Sequence, residues 1–246
     1  MAVIHKTTLT PGKLELLTAW LPAQSWYQGG ERRPELARAG GFRLDDPQGE
    51  VGIEFMVVTD ESGDEPLSYL VPLSYRGAPL GGADHALIGT TEHGVLGPRW
   101  VYDGTRDPVL VAQLLALLLG EAEPQAQSVS DTPDPSVVSG FTGPAITGPI
   151  TSTAATDGPR STDIVVRAGS VVPGGSVIQG GSVIQGDSGE DPQRDQDGRL
   201  VIRVNRVLRP GEEDAPGAQG HVTAGWRLPD GTETRAVFAV VPGAAP

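Results

Sequence analysis

The sequence contains no cysteine. That absence excludes disulfides, thiolate nucleophiles and cysteine-ligated zinc together, and it fits a reducing compartment. Basic side chains are also scarce. Lys and Arg number 18 against 31 Asp and Glu, giving a formal net charge of -13 and a pI near 4.6. A chain this acidic repels phosphate backbones and anionic lipid, which excludes nucleic acid and membrane surfaces as expected partners. No long hydrophobic run is present. The most apolar stretch, VLVAQLLALLL at residues 109–119, falls well short of the ~20 residues that cross a bilayer. The opening MAVIHKTTLT has no apolar core of the kind that marks a secretory signal. A soluble, cytoplasmic protein is expected. The charge then serves solubility.

Gly (34) and Pro (22) are abundant, and their excess lies mostly in the second half, so ordered and loose segments are expected to alternate there. In residues 1–123, LELLTAWL (14–21) has apolar residues at helical spacing and stops at Pro22. A polar segment, 24–38, follows, with Trp26, Tyr27, a Gly pair and Arg32-Arg33. GIEFMVVT (52–59) and LSYLVPLSY (67–75) read as strands by their β-branched and aromatic content, joined by the turn DESGDEP. That pattern is an antiparallel hairpin. Short strands are expected at 86–89 and 98–102. Asp107-Pro108 then opens a helix over about 109–119, since Asp caps free N–H groups and Pro suits the first helical position. This helix is apolar nearly all round, so burial against a sheet is expected. Antiparallel sheet packed on helices gives the fold class α+β.

Residues 124–160 are rich in Pro, Ser, Thr and Gly and read as a flexible linker with too little apolar surface to order itself. Residues 161–246 read as β-rich. TDIVVR (162–167) and LVIRVNRVL (200–208) are expected strands; HVTAGWRL (221–228) and TRAVFAVV (234–241) are the arms of a second hairpin, with Trp226 in its core. Within this section GGSVIQ occurs twice in tandem, at 174–179 and 180–185. A β-helix needs about three stacked repeats to bury a core, so two copies read as a duplicated loop.

Other chemistry is weakly signalled. No G-x-x-x-x-G-K-[ST], G-x-G-x-x-G or G-x-S-x-G motif is present. Asp84-His85 and Glu92-His93 would suit a metal only if a hairpin joined them; polar loop residues are the plainer reading. Asp103 and Asp107 lack the spacing of a calcium loop. Trp26, Tyr27 and Arg32-Arg33 read either as a sugar-stacking or partner patch or, more simply, as core plus a solvated basic edge.

Several stretches in correct order resemble one family. LTAWLPAQSWYQGG (17–30), YLVPLSYR (69–76) and WVYDGTRDPVLVAQLLALL (100–118) are similar to the N-terminal cap of actinobacterial maltokinases, which phosphorylate maltose with ATP in glycogen and trehalose metabolism. GGSVIQGD (180–187), RLVIRVNRVLRPG (199–211) and GWRLPDGTETRAVFAVVPGA (225–244) resemble the loop, strand and hairpin of the family's ATP-binding lobe. The resemblance implies a cystatin-like cap over 1–123, a linker over 124–160 and a kinase N-lobe remnant over 161–246. It places Gly180, Gly181 and Ser182 beside the nucleotide phosphates and Arg203 where the family has its phosphate-contacting lysine. A guanidinium does not replace a compact ammonium there. The catalytic aspartate and the magnesium ligands lie in the family's C-lobe; this sequence has no H-x-D-x-x-x-x-N and no DFG-like triplet, and it closes at Pro246 where the hinge would begin. No catalytic or metal-binding residue is therefore expected, and no cofactor. The leading expectation is a non-catalytic cap-like protein, in effect a pseudoenzyme, that serves as an interaction module in α-glucan metabolism. It would act with a protein partner, either a chain resembling the kinase C-lobe or an α-glucan enzyme. Two alternatives stand beside it: the N-terminal half of a split maltokinase, which would bring ATP and Mg, and a truncated, decayed kinase.

Overall fold

A computed structural model describes residues 8–129, 131–172 and 199–243. Its elements, in chain order, are β1 (Leu9–Thr10), α1 (Lys13–Trp20), β2 (Leu36–Leu44), β3 (Gly52–Asp60), β4 (Leu67–Arg76), β5 (Leu87–His93), β6 (Gly97–Asp103) and α2 (Pro108–Leu118). They continue with β7 (Gln125–Ala126), β8 (Val138–Phe141), β9 (Ala145–Asp157), β10 (Ser161–Val172), β11 (Arg199–Asn205), β12 (Val207–Leu208), β13 (Ala218–Arg227) and β14 (Glu233–Pro242). The strand pairings are antiparallel, and two short helices pack on them, so the α+β class holds.

Local chemistry explains the first half. β3 and β4 pair from Gly52↔Tyr75 to Asp60↔Leu67, the expected hairpin. Alternation along β3 sends Ile53, Phe55 and Val57 to one face and Met56 and Val58 to the other. The first face meets α2 through Leu110, Leu114 and Leu118; the second meets α1 through Leu17, and Leu21 just beyond it. α2 begins as its sequence requires, with the Asp107 carboxylate accepting a hydrogen bond from the Val109 N–H at 2.9 Å.

β2 overlaps the end of the polar segment 24–38 and runs beyond it, and Gly40-Gly41 hid it. Both glycines have positive φ, and a Cβ on Gly41 would lie 1.9 Å from the Phe55 carbonyl oxygen. A Cβ on Gly40 would lie 2.9 Å from the Trp226 side chain. The glycines break the β-propensity signal because this strand touches β13 at Gly40↔Trp226.

That contact joins the two halves of the chain. The pairings run β4–β3–β2–β13–β14–β11, and β12 returns to β4 through Val207↔Tyr69. Since β11 and β12 are parts of one run broken only at Arg206, the strands close a circuit. One hydrophobic core fills it, drawing Phe42, Phe55 and Leu70 from the first half and Ile202, Trp226 and Phe238 from the second. Phe42 stacks on Phe55 at 4.7 Å between ring centres and lies 6.2 Å from Phe238. Trp226 is buried as expected and donates its indole N–H to Ser68 Oγ at 3.1 Å.

Two expectations need correction. Residues 124–160 are not a structureless linker: β7 pairs with β2, β8 with β13 and β9 with β10. Their Ser, Thr and Ala content buries little, and ladder hydrogen bonds to neighbouring strands supply the order that composition does not. The run 200–208 is not one strand, because Arg206 turns inward between β11 and β12. The tandem GGSVIQ copies lie outside the described residues.

Candidate functional site

Arg203 is the one nucleotide-site candidate within the described residues; Gly180, Gly181 and Ser182 lie outside them. Alternation along β11 buries Leu200, Ile202 and Val204 and turns Arg203 to solvent. The cross-strand neighbour of Arg203 is Asp163 on β10. The two side chains meet fork to fork, Nε to Oδ1 at 2.7 Å and Nη2 to Oδ2 at 2.9 Å. This bidentate pair holds the guanidinium above its ordinary pKa. Arg203 also borders an open cleft of about 480 Å³ that includes Asn205, Glu212, Asp214 and Gly217. A smaller cleft of about 170 Å³ adjoins it at Asn205 and Glu212 and is lined by Arg160 and Arg209. Arg209 Nη1 in turn donates to Glu212 at 3.1 Å. Carboxylates thus sit on or beside both Arg203 and Arg209, and each lowers the positive potential that a phosphate would seek.

The aromatic candidates divide. Trp26 is fully buried, edge-on to Trp20 at 5.7 Å between ring centres. Tyr27 donates its hydroxyl to Asp60 at 2.7 Å, and Arg32 Nη1 donates to the Ser62 carbonyl at 3.0 Å. Asp60 is a structural hub: it also accepts from the backbone N–H groups of Glu35 and Ser62. Burial opposes its ionisation, but these hydrogen bonds outweigh it and hold the carboxyl below its ordinary range. Burial and the Asp60 charge push the Tyr27 hydroxyl upward. Core plus a solvated edge describes this patch.

The two candidate calcium aspartates each have an arginine. Asp107 takes Arg76 bidentately at 2.6 and 2.7 Å while capping α2; burial opposes its charge, yet Arg76 and the cap hold its carboxyl low. Asp103 takes the buried Arg206 at 2.6 Å. His93 Nδ1 accepts from the N–H groups of Val95 and Leu96, closing the turn between β5 and β6. Among the described residues no group of three or more metal-ligating side chains comes together.

One buried acid escaped sequence reasoning. Glu54 lies within β3, its carboxylate accepting from Lys13, from the Tyr75 hydroxyl at 2.7 Å and from Gln127 at 3.2 Å. Burial would raise its pKa, but the Lys13 charge and these hydrogen bonds bring it below the usual value. Lys13 also stands 5.1 Å over the Tyr75 ring. The available signal was a lone carboxylate inside the otherwise apolar GIEFMVVT. The arrangement is closed on itself and ties α1 to the sheet.

No helix among the described residues is long and apolar enough to cross a membrane. The chain matches no curated protein. Residues 20–107, just over a third of the chain, from Trp20 at the end of α1 to the Asp107 cap of α2, match the family model of the maltokinase N-terminal cap domain.

Proposed function

We propose that this chain is a non-catalytic, cap-like interaction or regulatory protein of α-glucan metabolism, in which maltose, trehalose and glycogen are handled. The single observation that carries the reading is the Arg203–Asp163 pair. The position that resembles the family's phosphate-contacting lysine is a guanidinium already paired with a carboxylate through Nε and Nη2, and the negative charge of that carboxylate opposes a phosphate. The cap match supports the family link. On this reading the sheet flanked by α1 and α2 is the cystatin-like cap, and β10, β11, β13 and β14 correspond to the N-lobe strands of a kinase. A protein partner, either a C-lobe-like chain or an α-glucan enzyme, receives the module in the cytoplasm. A split kinase would call for an apolar face on the second half. Among the described residues the large exposed hydrophobics are Val95, Leu96, Val129 and Val138, all before β9.

The test is a thermal-shift titration with Mg-ATP, maltose and both together, since a ligand that binds only the folded chain raises its melting temperature by mass action. The proposal expects no Mg-ATP-dependent rise at millimolar concentration. A saturable rise would overturn it in favour of a split kinase.

A further inference from the structure

Arg206 interrupts an apolar strand, and its side chain is 0% exposed. Its backbone N–H donates to the Arg160 carbonyl at 2.8 Å, and its own carbonyl accepts from the Leu70 N–H of β4 at 2.9 Å. The side chain enters a pocket built largely from the cap-matching stretch. Nη2 reaches Asp103 Oδ2 at 2.6 Å and Thr105 Oγ1 at 2.9 Å. Nε reaches Thr162 Oγ1 at 2.7 Å, and the guanidinium lies 4.8 Å from the centre of the Trp26 ring. The acceptors are themselves fixed. Thr105 donates its hydroxyl to Asp103 Oδ1 at 2.9 Å, and Thr162 donates to Asp157 at 2.6 Å. Arg106, next to Thr105, ties the same turn to β9 through the Ala155 carbonyl and Asp157.

We infer that Trp26, Asp103, Thr105 and the edge of β4 form a docking surface for an arginine-bearing strand, and that this chain's own segment 204–208 occupies it as a latch. Shape and charge both specify the occupant. The carboxylate and two hydroxyls take up Nε and Nη2 of the guanidinium, Nη1 is buried without a hydrogen-bond partner among the described residues, and the indole face accepts the flat side of the group. The β4 edge supplies ladder partners for a short strand, filled by Val207↔Tyr69 and Leu208↔Ser68. Trp26, Leu70, Asp103 and Thr105 all fall within residues 20–107, while Arg206 lies about a hundred residues further on. The cap-like sheet is therefore completed in cis, and a partner cannot use this edge without displacing β12. The inference stands apart from the functional reading above.

Hydrogen exchange of the full chain, resolved by segment, tests it with the variants Arg206→Met and Asp103→Asn. Arg206→Met keeps the bulk and removes the fork. It is expected to speed exchange in 67–70 and 204–208 at least tenfold relative to the hairpin 218–242. Asp103→Asn keeps the pocket's shape and should act in the same direction, more weakly. Unchanged exchange in both segments, or acceleration spread evenly over the chain, would overturn the latch. Should Arg206→Met fail to fold, Asp103→Asn decides alone, because it leaves the guanidinium its hydroxyl partners: selective acceleration supports the latch, and unchanged or even exchange overturns it.

Discussion

The two sides of the β11–β12 run carry the same chemistry in opposite settings. On the solvent side Arg203 pairs with Asp163, their side chains 46% and 36% exposed. Three residues on, Arg206 pairs with Asp103 at 0% and 3%. Both are close arginine–carboxylate contacts, and Arg203 has the better fork geometry. Water makes the difference. The exposed pair is screened and adds little to stability. The buried pair has lost its hydration, so removing either partner strands a charge in the core. The exposed pair bears on the proposed function, because it engages the arginine at the position that resembles the family's phosphate-contacting lysine. The buried one holds two halves of a sheet together.

The sharpest way to break this comparison is to remove Asp103. Asp103→Ala leaves the Arg206 guanidinium buried without its counterion, and a loss of about 3–5 kcal/mol in denaturant unfolding is expected. Asp107→Ala comes next. It removes the α2 cap and leaves the half-buried Arg76 unpaired, for an expected loss of about 2–3 kcal/mol; a loss below ~1 kcal/mol would show that the cap position is not held as described. Acid tests three buried or partly buried carboxylates at once. Glu54, Asp60 and Asp107 all ionise below their ordinary values. Each binds its proton less readily folded than unfolded, so its contribution is complete above the unfolded carboxylate range of about 4 and drains away as pH falls through the lower folded values. Denaturation midpoints should therefore hold level at mildly acidic pH and fall below about pH 4; a midpoint that rose on acidification would contradict the assignment. The smallest effect belongs to the exposed pair: Arg203→Ala should cost less than about 1 kcal/mol, and a cost approaching that of Asp103→Ala would erase the distinction.

Legibility in the sequence followed the range of the interactions. The β3–β4 hairpin and α2 were plain because alternation, an Asp-Pro start and an apolar run are local signals. β2 was not, since Gly40 and Gly41 answer to Trp226 and Phe55, which lie far off in sequence or on another strand. β7, β8 and β9 were hidden for a related reason: their order comes from the edges of β2, β13 and β10, and their own composition says loop. Trp226 was placed correctly by its position in a hairpin. Arg206 looked like Arg203, an arginine punctuating an apolar strand; only the aspartate a hundred residues earlier shows that one points in and the other out. The cap resemblance was recognisable from short motifs and matches over 20–107, whereas the occupied state of Arg203 required knowing that Asp163 lies directly opposite.

The central claim is that Arg203 is committed to Asp163 and does not hold a nucleotide. Titration calorimetry of Mg-ATP into the full chain tests it most directly, with Arg203→Ala alongside. The account requires the same absence of saturable heat from both proteins at millimolar nucleotide; saturable binding to the unaltered chain that Arg203→Ala abolishes would contradict it.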